Sequence, residues 1–307
     1  MPKLCYEQKK FQAKSLKAIT QANAIIEDYA AQGFDLTLRQ LYYQFVARDL
    51  IPNNLKEYKR LSTIINDARY AGLIDWLRIT DRTRNLRKNA HWDGPEDIIS
   101  SAVSSFAIDK WETQEYRPEV WIEKDALVGV IEGVCKKVDT SYFSCRGYAS
   151  ASEMWVAGRR LTRYLKAGQV PLIIHLGDHD PSGMDMSRDI FDRLEVFIKA
   201  EGYDPAKVKR IALNMDQIEM YRPPPNFAKL TDTRAKGYIK RYGKNSWELD
   251  ALEPTVLAAL IEDTVTAYRD ERLWQEAVTL EEQHRENLRD AARRWGDVTR
   301  YLNGGAA

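Results

Sequence analysis

Apolar residues recur at helical spacing through the first part of the chain. Phe11, Leu16, Ile19, Ala22, Ile25, Ile26 and Tyr29 form one stripe within residues 7–32, Leu38, Leu41, Tyr42 and Phe45 a second within 37–48, and Leu61, Ile64, Ile65 and Ala68 a third within 56–71. Between them, "FDLT" supplies a helix-start signal and "IPNN" a turn. A short apolar run, "LIDWLRIT", then leads into "DRTRNLRK", the outline of a hairpin wing following a helix-turn-helix pair. The pattern predicts an α-rich N-terminal part carrying a winged-helix (CAP-like) domain.

The period changes at Pro118. "EVWIE", "SYFSC", "VPLIIHLGD" and "VKRIALN" read as short strands. They alternate with the helical stretches "KDALVGVIEGVCKKV", "SASEMWVAGRRLTRYLKAG" and "SGMDMSRDIFDRLEVFIKAEG". That alternation predicts an α/β fold whose four-stranded parallel sheet lies between helices. Residues 221–247 read as an irregular connection with a short helix, and 253–302 as charged helices forming a solvated cap or a subunit contact. This reading places one boundary, between 1–117 and 118–307.

Composition narrows the partners less than the pattern does. Among 307 residues, 46 basic and 45 acidic side chains nearly cancel. Attraction to nucleic acid must therefore come from local clusters and not from net charge. Three cysteines (Cys5, Cys135, Cys145) without CxxC spacing suit a reducing compartment and read as packing residues. No apolar run approaches the ~18 residues of a membrane span, so the expectation is a soluble, cytoplasmic protein with no membrane partner. No G-x-x-x-x-G-K-[ST] loop occurs, and "INDA" stands without a glycine-rich lid, so no ATP site is expected.

Carboxylates mark two strand ends. Glu123 closes the first strand of the α/β half, and Asp178 and Asp180 close the third in "LGDHDPSG". Ligands bind outside the carboxyl ends of such strands, and three converging carboxylates make an oxygen-rich site of the kind Mg²⁺ accepts. Helix capping is the competing explanation for Asp180, and Asp185 and Asp189 read as helix-surface residues. Lys124 and Arg146 stand near the same strand ends, where they can touch a phosphate or simply be solvated. His175 is expected to point into packing and His179 outward, with no spacing for zinc.

In "TLRQLYYQF" the helical advance of roughly 100° per residue puts Tyr42 on the apolar stripe and turns Tyr43 off it, onto the side of Arg39. A phenol one turn from a guanidinium can hold a phosphate; periodicity alone favours a surface tyrosine without a role. The next helix presents Lys59, Thr63 and Asn66 opposite its apolar stripe, as a recognition helix does. Arg82, Arg84, Arg87 and Lys88 form a basic run placed to act as a DNA-contacting wing.

The order Glu, then D-x-D-x-x-G, within a parallel four-stranded unit resembles the Toprim domain of topoisomerases, primases and related nucleases. More closely, "VWIEKDAL", "CRGYAS", "GDHDPSGMDM" and "TLRQLYYQF" resemble segments of the topoisomerase VI A subunit and its relative that makes meiotic double-strand breaks. The chain is short for that subunit and is similar to its stand-alone, shortened relatives. The resemblance implies that Glu123, Asp178 and Asp180 bind Mg²⁺, two ions per site, and that Tyr43 is the nucleophile with Arg39 clamping the phosphate. It further implies a homodimer on double-stranded DNA, in which Tyr43 of one protomer meets the metal site of the other, and a separate GHKL-type ATPase subunit. Two positions depart from type: Ser182 stands where type II Toprim sites carry an aspartate, and Gln40 where the A-subunit family has one.

The resulting expectation is an ATP-hydrolysing type IIB topoisomerase A-subunit-like transesterase, cleaving both DNA strands through a 5′-phosphotyrosyl link. Two alternatives stand beside it: a Toprim phosphodiesterase using activated water, and a non-enzymatic winged-helix DNA binder with the Toprim half as a dimerisation scaffold.

Overall fold

The computed structural model describes residues 3–80, 89, 91–227 and 232–304. Near its start the chain forms α1 (Ala13–Ala31), α2 (Leu38–Ala47) and α3 (Leu55–Tyr70), close to the three amphipathic stripes. Thr37 begins α2 with a reciprocal cap. Its hydroxyl accepts from Gln40 N, and Gln40 Oε1 accepts from Thr37 N at 2.8 Å. Asn54 caps α3 through Glu57 N. Ile25, Tyr29, Leu41, Phe45, Leu61 and Ile65 close the core among these helices.

Past α3, "LIDWLRIT" does not become a hairpin strand among the described residues. Trp76–Arg78 is a 3-10 turn, and Ile79 makes a single parallel bridge to Leu36. Asp75 caps that turn through Leu77 N, which favours turn over strand. The basic run Arg82, Arg84, Arg87 and Lys88 lies outside the described residues.

The remaining elements are α4 (Pro95–Ser105), β1 (Tyr116–Ile122), α5 (Val128–Lys137), β2 (Ser141–Ser144), α6 (Ala151–Lys166), β3 (Val170–Leu176), α7 (Pro181–Lys199) and β4 (Lys207–Ala212). These are followed by α8 (Met215–Tyr221), β5 (Asn226–Phe227), α9 (Ala235–Tyr242), β6 (Asn245–Ser246), α10 (Pro254–Thr266), α11 (Glu271–Arg293) and α12 (Trp295–Leu302). The protein is α/β. Its four-stranded sheet has the order β2-β1-β3-β4, with β1 parallel to β2 and β3 parallel to β4. Near-continuous burial along the central strands β1 and β3 is what a sheet covered on both faces requires. On one face Trp121, Ile173, Leu161, Leu194 and Ile198 pack together. Midway along β1, Glu119 is buried but satisfied: it accepts two bonds from Arg160 and one from Trp121 Nε1.

The segment read as an irregular connection with a short helix begins where α8 ends and contains one helix, α9, and the small antiparallel pair β5-β6. Trp247, just beyond β6, exchanges two backbone hydrogen bonds with His179 at 2.8 and 2.9 Å.

The chain groups into two compact units. One comprises Met1–Arg84 with Pro118–Ala267, the other Asn85–Arg117 with Tyr268–Ala307. The position between 117 and 118 is one edge; 84/85 and 267/268 are the others. In the smaller unit α4 packs on α11, and the buried Glu281 accepts from Lys110 Nζ at 2.6 Å and Ile108 N at 3.0 Å. Among the described residues no helix is long and apolar enough to cross a membrane.

Gly183, in the first turn of α7, leaves no room for a side chain: an added Cβ would lie 2.3 Å from the Asp178 carbonyl oxygen. Ordinarily Gly→Ala in a helix gains up to ~1 kcal/mol. Here Gly183→Ala is expected to lower unfolding stability by about 1–3 kcal/mol through overpacking, measured by urea denaturation.

Candidate functional site

The helix α2 is covered on two sides, because the 3-10 turn Leu249–Ala251 packs against it in addition to the N-terminal core. This overturns the outward placement of Tyr43. Tyr42 and Tyr43 are both buried, at 5% and 4% exposure, and a single wheel could not register the second covering element. Tyr42 joins the core as expected, yet its hydroxyl donates to Asn53 Oδ1 at 2.9 Å. Tyr43 lies beneath Arg39, whose Nη2 is 3.4 Å from the phenol oxygen.

Tyr43, Arg39, Lys124, Asp178, Asp180 and Glu248 line one cleft of about 530 Å³. The two ends of the sequence constellation therefore meet within a single chain. Lys124 Nζ sits 3.0 Å from Asp178 Oδ1, 2.9 Å from Glu248 Oε2 and 2.9 Å from Asp250 Oδ1. Arg39 reaches Glu248 Oε2 at 2.5 Å and Asp250 Oδ2 at 3.2 Å. Lys124 is therefore no solvated surface charge, whereas Arg39 pairs with these carboxylates while half of its side chain stays exposed.

Each of the three predicted metal-binding carboxylates is oriented by a backbone N–H. Glu123 Oε2 accepts from Asp178 N at 2.8 Å, Asp178 Oδ1 from Leu249 N at 2.8 Å, and Asp180 Oδ1 from Gly183 N at 2.6 Å. Asp180 thus caps α7, and it also accepts from Ser182 Oγ. One oxygen on each remains without a hydrogen bond among the described residues: Glu123 Oε1, Asp178 Oδ2 and Asp180 Oδ2. This donor set has the hard, anionic chemistry that Mg²⁺ prefers. Among the described residues no three His, Cys, Asp or Glu already close into metal-ligand geometry.

Burial pushes the Asp178 carboxyl up to about 7, with repulsion from Glu123 and Asp250 added and Lys124 opposing. Burial likewise raises Glu123, aided by Asp180. Burial opposes ionisation of Glu248, but Lys124, Arg39 and the Tyr43 hydroxyl together hold it down at about 2. Burial, then the Asp250 and Glu248 carboxylates, raise the Tyr43 phenol above its ordinary range, with Arg39 pulling the other way. Five carboxylates (Glu123, Asp178, Asp180, Glu248, Asp250) against three cations (Arg39, Lys124, Arg210) leave two negative charges in excess when all are ionised.

The sequence reading missed Glu248, Asp250 and Arg210. Arg210, on β4, donates to the carbonyl oxygens of Gly177, Asp178 and Gly183 at 2.7–2.9 Å, clamping the acidic turn from behind. Only the alternation in "WELD" hints at Glu248 and Asp250, and nothing local ties it to residues some 70 to 210 positions away.

Other expected residues lie elsewhere. Lys59, Thr63 and Asn66 are exposed together along α3, as read. Arg146, at φ +52°, pairs with Asp125 at 3.1 Å and does not line the cleft. His175 is buried with Nδ1 2.8 Å from Ser187 Oγ. His179 is a correction: it is buried, not outward, with Nδ1 2.7 Å from the Tyr238 hydroxyl, because α9 and Trp247 cover it. Cys5 is exposed, whereas Cys135 and Cys145 pack inside. Gln40 spends its side chain on the α2 cap and so does not orient Arg39. Comparison of the chain with protein-family models and with curated protein sequences finds no match.

Because Asp178 holds its proton more tightly folded than unfolded, its contribution to stability is fully present below its ordinary value of 3.8 and is lost as pH rises toward 7. Asp178→Asn, which keeps an acceptor for Leu249 N, is expected to gain on the wild type between pH 4 and pH 8, by up to about 4 kcal/mol. Thermal or urea unfolding across that range measures it; a flat difference would contradict the assignment.

Proposed function

We propose that the chain is a DNA-cleaving transesterase with a Toprim-like core, in which Tyr43 is the nucleophile. The observation that carries this reading is the single cleft shared by Tyr43, Arg39, Asp178 and Asp180. Carboxylates at the carboxyl ends of β1 and β3 support the Toprim assignment. The exposed Lys59, Thr63 and Asn66 on α3 support a helix-turn-helix surface for duplex DNA.

In the reaction, the Tyr43 oxygen bonds to a backbone phosphorus, the bond from phosphorus to the 3′ oxygen breaks, and the chain stays attached to the 5′ side. The phenol proton leaves Tyr43 as the new bond forms, and the 3′ oxygen takes up a proton. Arg39 holds a non-bridging oxygen and stabilises the charge that accumulates there. Mg²⁺ held by Glu123, Asp178 and Asp180 would supply further stabilisation of that charge, and two excess negative charges match one divalent ion. Burial and the Asp250 and Glu248 carboxylates resist loss of the Tyr43 proton, and Arg39 opposes them.

The resemblance adds a homodimer acting on both strands and an ATPase partner, and sets Tyr43 against the partner protomer's carboxylates. The cleft also allows attack within one chain. A second reading, hydrolysis by activated water with Tyr43 only positioning DNA, draws support from the burial of the Tyr43 hydroxyl.

Supercoiled duplex incubated with the chain and Mg²⁺, then quenched with denaturant, separates the readings. Protein covalently attached to 5′ ends is expected, lost in Tyr43→Phe and in Asp178→Ala, with a fall of at least about 100-fold in each. Free 5′-phosphate ends surviving Tyr43→Phe would establish the water mechanism instead, and Mg²⁺-independent binding without cleavage would leave only a DNA-binding role. Mixing the two inactive variants restores adducts only if attack runs between protomers.

A further inference from the structure

Glu248 touches the donors that converge on the cleft beside Tyr43. Its Oε2 lies 2.5 Å from Arg39 Nη2 and 2.9 Å from Lys124 Nζ, and its Oε1 accepts from Asn226 Nδ2 at 3.2 Å. A guanidinium, an ammonium and an amide gathered on one small anion are donors with which proteins bind phosphate. A carboxylate and a phosphodiester each present one negative charge shared by two oxygens. Glu248 can therefore satisfy the same donors as a phosphodiester would.

The backbone around Glu248 is tied on both sides. Trp247 exchanges two hydrogen bonds with His179, and Leu249 N is held by Asp178 Oδ1. The Glu248 side chain itself is a quarter exposed. It can leave its donors by rotating toward solvent while the backbone stays in place. Lys124 and Arg39 would not be stranded, since each keeps Asp250, and Lys124 also keeps Asp178.

We infer that Arg39, Lys124 and Asn226 form a phosphate seat beside Tyr43, occupied by the chain's own Glu248, which an incoming phosphodiester must displace. The inference rests on the proposed DNA cleavage for the identity of the phosphodiester, but the seat follows from the side-chain geometry alone.

Inorganic phosphate is the probe, titrated calorimetrically into the full chain. Glu248→Gln keeps the shape and an acceptor while removing the competing charge, and is expected to bind phosphate at least about tenfold tighter than the wild type. Adding Arg39→Ala to it should abolish the gain. Glu248→Asp withdraws the carboxylate by one methylene without uncovering the cations; it is the variant to read if Glu248→Gln does not fold, with a gain of about threefold expected. A folded variant that binds phosphate no tighter than the wild type, or a gain that survives Arg39→Ala, overturns the inference. Covalent 5′ adducts without any gain would sink the seat alone. A gain without adducts would leave the seat standing and remove the transesterase reading.

Discussion

The Lys124 ammonium, set among Asp178, Glu248 and Asp250, ties together three stretches distant in sequence. It follows β1, Asp178 follows β3, and Glu248 precedes while Asp250 lies within the turn that packs on α2. A buried ammonium costs several kcal/mol to desolvate and is tolerated only when paired and hydrogen-bonded. The strand ends, the turn and the N-terminal helix are held in register by that requirement. Arg210 does the same from the other side, using backbone carbonyls rather than carboxylates.

The electrostatics of the cleft follow from this arrangement. Carboxylates crowd where burial already disfavours their charge, so Asp178 and Glu123 are raised while Glu248, better supplied with cations, is lowered. Tyr43 sits at the border between these two environments. Its hydroxyl lies 3.4 Å from the Arg39 guanidinium, while the Asp250 and Glu248 carboxylates oppose its ionisation, so the balance of charge around it decides how readily it loses its proton.

Much of the fold was legible because it depends on local periodicity. The three N-terminal helices and the four strands fall within a few residues of their predicted places, since apolar spacing, caps at Thr37 and Asn54, and β-branched strand segments are local signals. The same is true of Glu123, Asp178 and Asp180, whose positions at strand ends follow from strand assignment alone. Where local signals failed, a second packing partner was responsible: "LIDWLRIT" became a 3-10 turn and a lone bridge, His179 was covered by α9, and Tyr43 was covered by Leu249–Ala251.

By itself the sequence determined the three N-terminal helices, the alternation of β1 to β4 with their helices, the strand-end carboxylates and the pairing of Arg39 with Tyr43 one helical turn apart, because each depends only on local geometry. Tertiary structure alone decided that Tyr43 is buried, that Lys124 and Arg39 are paired with carboxylates, that Glu248 lines the cleft, and that Asp250 and Arg210 support it from behind. Those facts depend on which distant segments share a volume. Helical or strand spacing carries no information about that.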